Sequence, residues 1–239
     1  MYLTTIMAVP GREPIEAGGW SGGPIAEHEW LSKLLDGTSL APPDFLFRRC
    51  DLNGAVRFLV LSIKAPAFES LDWQVTTRGY APKFASGARL RFELRANPIV
   101  TETRDGKSQR QDVVMREKAR LLAERGLNRW DDWRAADKPE LPKLVQQTCG
   151  AWMQARAARH GIEVHSEGLT ACGYQQYDED DSRIQTCRSS RQDSGVQFST
   201  VDISGELTVV DPVTFGFALT KGIGRAKAFG CGLLLLRGP

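Results

Sequence analysis

His28 is the residue best suited by type and position to acid–base chemistry near neutral pH, because free imidazole titrates around 6.5. The other histidines, His160 and His165, are five residues apart and do not share one helix face. His28 lies three residues before Leu31, at the edge of the apolar stripe of a predicted helix. Two interpretations stay open: a half-buried core histidine, or a side chain that points into a cleft.

Metal chemistry has little support in the sequence. His160 and His165 could join Cys149 and Cys172, but their spacing fits no standard zinc site. The acidic run DEDD at 178–181 is typical of a solvated loop rather than of carboxylates that converge on an ion. There is also no P-loop and no G-x-S-x-G motif. We therefore expect neither a metal site nor a cofactor.

A glycine-rich stretch, KGIGRAKAFGCGLLLL, occupies residues 221–236. Its glycines are Gly222, Gly224, Gly230 and Gly232. They follow a predicted helix and precede the final strand, whereas a dinucleotide-binding fingerprint lies between a first strand and its helix. Two interpretations stay open. The glycines supply positive φ for a tight return, or the loop also approaches a phosphate chain, with Arg225 and Lys227 supplying charge.

Composition limits the class of protein. The 239 residues, 41% of them hydrophobic, suffice for two compact domains. The net charge is only +2, but 22 of the 31 basic residues are arginine, the side chain suited to phosphate and base contacts. Five cysteines without a C-x-x-C pair favour a reducing compartment. No export signal or membrane-length apolar run is recognisable, so we expect a soluble, cytoplasmic protein without a membrane partner.

The pattern of residues 1–85 predicts a first domain of the order β-α-β-β-(α)-β. A strand in MYLTTIMAV precedes a helix in IAEHEWLSKLLDG, whose Leu31, Leu34 and Leu35 share one face. Asn53 and Gly54 are a strong hairpin signal between DFLFRRC and AVRFLVLSIKA. A second helix in PAFESL, before the strand DWQVTTRGY, would be very short.

A second series of predicted strands and helices begins after Gly87, and it predicts a second domain over residues 86–239. RLRFELRANPIV alternates as a strand, REKARLLAERG is a helix that ends at Gly126, and WMQARAARHG is another helix. VQFSTVDISGELTVVD is a strand, PVTFGFALTKG a helix with proline at its first position, and CGLLLL the closing strand. The predicted fold is α+β: two tandem ferredoxin-like (RRM-like, βαββαβ) domains with a C-terminal glycine-rich loop.

The chain resembles the CasE-type CRISPR RNA-processing endoribonucleases of the RAMP superfamily. The resemblance is clearest in MYLTTI, EHEWLSK, RLRFELRANP and GELTVVDP followed by KGIGRAKAFGCGLLLL, and is absent over residues 127–180. It implies metal-independent cleavage of precursor CRISPR RNA beside a repeat hairpin, by attack of a 2′-OH on the adjacent phosphate. It further implies that the mature guide RNA stays bound, in a surveillance complex with other protein subunits.

The resemblance also assigns roles on the predicted first helix. His28 occupies the position of the catalytic histidine, and Lys33 matches a basic position that could stabilise phosphate charge. Lys33 is five residues on, about 140° around the helix, so its side chain must curl back to reach the same phosphate. Some relatives carry a tyrosine where this chain has Ile25, and Ser32 is a speculative substitute for it.

RNA-binding residues are implied in three basic segments. They are Lys107 and Arg110 in a predicted loop, Arg183, Arg188 and Arg191 in a basic hairpin, and Arg225 and Lys227 in the glycine-rich loop. A-form stems offer shape and phosphate rather than readable major-groove edges, which suits arginine-rich grips. The alternative function is that of a non-catalytic RAMP subunit that binds and scaffolds guide RNA.

Overall fold

The computed structural model describes residues 1–9, 23–36, 45–66, 70–104, 106–179 and 196–238. Up to residue 79 the described chain forms these elements: β1 (Tyr2–Ala8), α1 (Gly23–Asp36), β2 (Phe45–Arg49), β3 (Arg57–Ser62) and β4 (Trp73–Gly79). The four strands make one antiparallel sheet in the order β2-β3-β1-β4. This first sheet and α1 constitute the unit that carries His28.

The turn between β2 and β3 confirms the hairpin predicted from Asn53 and Gly54. Both residues have positive φ, 52° and 82°, and Leu52 bridges to Ala55 across them. Two successive positive φ values match the twist of the flanking strands. The turn therefore sets the register in which Arg49 of β2 pairs with Phe58 of β3.

One face of the first sheet is covered by α1, as the apolar stripe predicts. Leu31 is fully buried against Phe47 and Phe58, and Leu34 and Leu35 pack at the edge of the same cluster. Burial of such side chains contributes about 1.5–3 kcal/mol each. The helix is therefore held on the sheet by the face opposite to its exposed side chains.

From residue 89 onward the described chain forms a larger unit. Its elements are β5 (Arg89–Ala96), β6 (Ile99–Arg104), β7 (Lys107–Asp112), α2 (Val113–Glu124), α3 (Leu141–Ala157), β8 (Ile162–Val164), β9 (Thr170–Glu179), β10 (Val196–Val209), α4 (Pro212–Lys221) and β11 (Leu234–Arg237). The order of the second sheet is β11-β5-β10-β8, and β9 also pairs with β10. α3 and α4 pack on this sheet around Met153, Phe215 and Leu219.

Both sheets have the strand order of a ferredoxin-like fold. In the first sheet β1 and β3 are central, with β2 and β4 at the edges; in the second sheet β5 and β10 are central, with β11 at one edge and β8 and β9 both along the other. The predicted α+β class with two tandem ferredoxin-like units is thus confirmed. The predicted helices ending near Gly126, within residues 151–161 and after Pro212 are present as α2, α3 and α4.

The very short helix predicted in PAFESL would lie between β3 and β4. Residues 67–69 of that segment lie outside the described chain, and the described residues 63–66 and 70–72 contain no helix. β3 and β4 both pair antiparallel with β1, so the connection between them returns along the length of the sheet. The helix in PAFESL therefore stays a prediction.

The charged stretch after residue 98 is a hairpin rather than the predicted loop. β6 and β7 pair from Ile99 with Asp112 to Arg104 with Lys107. Lys107 and Arg110 therefore lie on strand β7, which corrects their placement in a loop. Asp112 then caps α2 by accepting hydrogen bonds from the amides of Val114 and Met115.

The two units are joined by an apolar cluster and an ion-pair network. Leu46 and Leu61 of the first sheet pack with Leu233, just before β11. Beside them, Arg95 donates to both carboxylate oxygens of Asp202, at 2.9 and 2.8 Å. Arg48 of β2, with its side chain 11% exposed, reaches the same carboxylate at 3.5 Å. Asp202 therefore balances two arginines at the junction.

No described helix has both the length and the apolar character needed to cross a membrane.

Replacing Asp202 with asparagine should lower the free energy of unfolding by about 1–3 kcal/mol, because Arg48 and Arg95 lose their shared carboxylate in a poorly hydrated junction. Urea denaturation of the purified protein measures the change. Asp131→Asn, at an exposed position, is the matched control. A loss no larger than that of the control would show that the network does not stabilise the junction.

Candidate functional site

His28 lies half-buried on α1, between the helix and strand β2. Its imidazole stacks on Phe45, with ring centroids 5.6 Å apart and planes 15° from parallel. Phe47, two residues further along the same strand, lies at 6.4 Å from it. The period of two residues in β2 places both phenyl rings beside the histidine, so the strand fixes the plane of the imidazole.

The imidazole of His28 is half-buried against aromatic side chains, as the interpretation as a half-buried core histidine predicts. It is neither fully buried nor a free surface side chain. Burial lowers the pKa of His28 below its ordinary value of 6.5, and the nearby carboxylate of Glu29 opposes the shift. A lowered pKa keeps the imidazole neutral near pH 7 and able to accept a proton. The local geometry therefore suits acid–base chemistry.

The sequence also implies roles for other residues of α1, and the structure places these residues at different distances from His28. Ser32 Oγ lies 3.5 Å from His28 Nε2, at the limit of a hydrogen bond. Lys33 is exposed, and the structure gives it no contact with His28 among the described hydrogen bonds. Ile25 is buried, with 6% of its surface exposed. Ser32 is thus the α1 side chain that meets the imidazole.

A buried ion pair anchors α1 next to His28. The carboxylate of Glu27, only 8% exposed as a residue, accepts from Arg49 Nη1 at 3.0 Å. Arg49 also donates to both oxygens of Asp51, at 2.9 and 3.1 Å. Burial raises the pKa of Glu27, while Arg49 opposes the shift. The pair ties α1 to the end of β2 at Glu27, the residue before His28. The position of His28 relative to β2 is therefore fixed.

The glycine-rich loop folds tightly between α4 and β11. Its four glycines have positive φ, and the loop closes through hydrogen bonds from Ile223 N to Gly232 O and from Gly232 N to Arg95 O. At Gly222, with φ +75°, a Cβ would lie 2.9 Å from the side chain of Leu46 in β2. The need for positive φ in a tight return is therefore sufficient to explain these glycines. The loop also packs against the first unit.

That packing brings the basic part of the loop to the histidine helix. A short 3₁₀ turn, Lys227–Phe229, packs against both α1 and β2. Lys227 is half-buried and Arg225 is exposed. Burial lowers the pKa of Lys227, and the nearby Lys221 lowers it further. The loop therefore brings Lys227 to the two elements that hold His28.

These cations face a cleft of about 1250 Å³ between the two units, which we call the basic cleft. Its basic side chains are Arg110, Lys221, Arg225 and Lys227. Phe45 forms part of its wall and stacks on His28, so the imidazole lies directly behind the lining. The cleft thus brings three of the predicted RNA-binding residues together with Phe45, the ring on which His28 stacks.

The remaining predicted residues are distributed differently. Lys107 belongs to β7, and its side chain lies outside the described atoms. Arg183, Arg188 and Arg191 lie outside the described residues. In the described ranges, no three His, Cys, Asp or Glu side chains come together as a metal site would require.

Sequence reasoning missed the aromatic and ionic neighbours of the site. Phe45 and Phe47 alternate in DFLFRR, a signal of a strand face, but nothing local indicates that His28 stacks on it. The pairing of Glu27 with Arg49 joins residues 22 positions apart. Both contacts depend on how α1 crosses β2, which a single sequence does not state.

Phe45→Val should raise the pKa of His28 toward 6.5, because removing the stacked ring admits water to the imidazole. An NMR titration of the histidine ring protons measures this directly. His160, whose pKa is also lowered chiefly by burial, serves as the internal reference in the second unit. An unchanged or lower pKa of His28, with His160 steady, would contradict the assigned cause.

Comparisons with known proteins place this geometry in a family. The family model described as CRISPR associated protein matches residues 1–238. No curated protein matches the chain. Thermus thermophilus Cse3 bound to an RNA representing a pre-cleavage complex is 21% identical, with a TM-score of 0.67 over 99% of this chain and 98% of that chain.

Two further solved structures have the same fold over both complete chains. The CRISPR-associated protein Cas6e from Escherichia coli K-12 is 22% identical, covers 100% of each chain and has a TM-score of 0.57. A chain of a CRISPR RNA-guided surveillance complex, in a pre-nicking state, is 21% identical with the same coverage and a TM-score of 0.60. With nearly every residue matched by the family model, the chain belongs to the CRISPR-associated protein family.

Proposed function

We propose that this chain is an endoribonuclease that cleaves precursor CRISPR RNA at the 3′ base of the repeat hairpin. The observation that carries the proposal is a half-buried histidine of lowered pKa set behind a cleft of four basic side chains. Support comes from the fold shared with Cse3, which was solved bound to RNA representing a pre-cleavage complex.

The proposed reaction is an internal transfer at one phosphate. The 2′-oxygen of the nucleotide before the cut bonds to phosphorus, and the bond from phosphorus to the 5′-oxygen of the next nucleotide breaks. The products are a 2′,3′-cyclic phosphate and a 5′-hydroxyl, so one proton leaves the 2′-oxygen and one reaches the 5′-oxygen. A positioned imidazole contributes about 10²- to 10⁴-fold to such a proton transfer.

His28 is the general acid/base in this proposal, and its neighbours support it. Ser32, 3.5 Å from Nε2, orients the ring or relays a proton. Lys33, Arg225 and Lys227 stabilise the extra negative charge on the phosphorane-like transition state. Each proton and charge of the reaction has a group in this set, so we infer that no metal ion takes part.

The RNA stem is proposed to lie along the basic segments of the second unit. Arg110 and Lys107 on the β6–β7 hairpin, and Arg225 and Lys227 in the glycine-rich loop, would contact phosphates. Arg183, Arg188 and Arg191 remain proposed contacts from the sequence. We also propose that the chain divides near residue 85, with the catalytic helix in residues 1–85 and most RNA contacts in 86–239.

We further propose that the mature guide RNA stays bound after cleavage, together with other subunits in a cytoplasmic surveillance complex. The support is a solved chain of the same fold that belongs to a CRISPR RNA-guided surveillance complex. Retention of the guide RNA is consistent with binding through the hairpin stem, because the stem belongs to the product and is unchanged by the cut.

His28→Ala should reduce single-turnover cleavage of a labelled CRISPR-repeat RNA about 10²- to 10⁴-fold while leaving its Kd nearly unchanged. The wild-type protein should make one cut at the stem's 3′ base in excess EDTA. Ser32→Ala, one turn away on α1, should cost less than His28→Ala because the serine acts through the ring.

Three outcomes would reject parts of this function. Binding without any cut by the wild-type protein would favour the alternative, a non-catalytic subunit that scaffolds guide RNA. Cleavage that survives a 2′-deoxy substitution at the cut nucleotide would exclude attack by the internal hydroxyl. Loss of cleavage in EDTA, restored by a divalent cation, would reject metal independence.

Arg225→Ala should weaken RNA binding and reduce the slope of log Kd against log salt concentration by about 1, since one phosphate contact is lost. Fluorescence anisotropy across a salt series measures both quantities. Arg134→Ala, an exposed arginine outside the lining of the basic cleft, is the matched control. Equal slopes for the two variants would remove Arg225 from the RNA interface.

A further inference from the structure

Three aromatic rings form a stacked ladder on one wall of the basic cleft. Tyr177 stacks on Phe198 with centroids 4.8 Å apart and planes 11° from parallel. Phe198 stacks in turn on Phe229, at 4.6 Å and 20°. All three rings line the cleft and are half-buried.

Two separate parts of the second unit build this ladder. Tyr177 of β9 is the register partner of Phe198 on β10, which places both rings on one face of the sheet. Phe229 comes from the 3₁₀ turn of the glycine-rich loop. Phe198 has both faces covered by the other two rings, so a fourth planar group can extend the ladder only at Tyr177 or at Phe229.

The surroundings of the ladder match the chemistry of an unpaired nucleotide. Arg110, Arg225 and Lys227 line the same cleft and supply charge for a phosphate. Aromatic faces interleaved with basic side chains are how proteins hold single-stranded RNA, because every base has a flat face to stack.

The ladder also lies next to the proposed reaction centre. The turn that carries Phe229 packs on α1 and β2, the two elements that hold His28. Phe45 lines the same cleft and stacks on the imidazole. A nucleotide whose base extends the ladder would therefore have its phosphate among the loop cations, on the side of the cleft nearest to His28.

We propose that the basic cleft binds one unpaired nucleobase of the RNA next to the cut, stacked on an end ring of the Tyr177–Phe198–Phe229 ladder. The inference deepens the proposed function and rests on it for RNA as the ligand. Stacking anchors the base, so the sugar and phosphate that join it are held in one orientation. Stacking on the ladder thus helps to determine where the RNA is cut, and this contribution is separate from the contacts that bind the stem.

A double-substitution cycle on binding tests the proposal. The probe is the CRISPR-repeat RNA with a 2′-deoxy cut nucleotide, either intact or with the unpaired base beside the cut removed as an abasic site. The proteins are wild type, Tyr177→Leu and Phe229→Leu. One base–aromatic stack contributes about 1–3 kcal/mol, so removing the base should raise the wild-type Kd about 5- to 150-fold.

The variant that lacks the stacking ring should show the same loss with intact RNA and no further loss with abasic RNA. Phe217→Leu, at an exposed ring of α4 outside the cleft, should behave as wild type. Thermal denaturation checks that each variant is folded, and the two end rings give independent variants should one of them unfold.

The outcomes separate this inference from the proposed function. Additive losses for both end-ring variants, or no loss on removing the base, would overturn the stacking proposal while RNA binding stands. Absence of any RNA binding by the wild-type protein would overturn both. Because the probe cannot be cut, the result does not depend on whether His28 is catalytic.

Discussion

The close approach of the glycine-rich loop to strand β2 is the constraint on which the site depends. Gly222 has a positive φ and leaves no room for a Cβ beside Leu46. With that contact made, the turn Lys227–Phe229 sits on α1 and β2. The loop cations of the second unit then line a cleft together with Phe45 of the first unit, the ring on which His28 stacks.

In the proposed reaction, the environment of His28 would meet two opposing requirements of acid–base chemistry. The phenyl rings of Phe45 and Phe47 exclude water and lower the pKa of the imidazole, which keeps a neutral base available. Binding an anionic backbone requires positive charge close by, which the separate loop supplies. These positive charges come from the glycine-rich loop and not from β2. They would therefore attract phosphate while Phe45 and Phe47 keep the surroundings of His28 apolar and its pKa low.

Local patterns predicted most elements because their signals are short-range. The stripe through Leu31 predicted α1, Asn53 and Gly54 predicted a hairpin, and proline at the first position predicted α4. One prediction was wrong, because strand pairing decided the outcome. Lys107 and Arg110 lie on a strand rather than in a loop, since β6 and β7 pair over their whole length.

Residue types and motif order in the sequence alone were enough to indicate the family and the tandem ferredoxin-like architecture, and they make His28 the predicted catalytic residue. Only the tertiary structure decided which side chains surround that histidine and which rings form the ladder. Stacking of His28 on Phe45 depends on how a helix crosses a sheet, and stacking of Tyr177 on Phe198 depends on strand register. Both are set by burial and pairing across long chain separations, which leave no periodic trace in the local sequence.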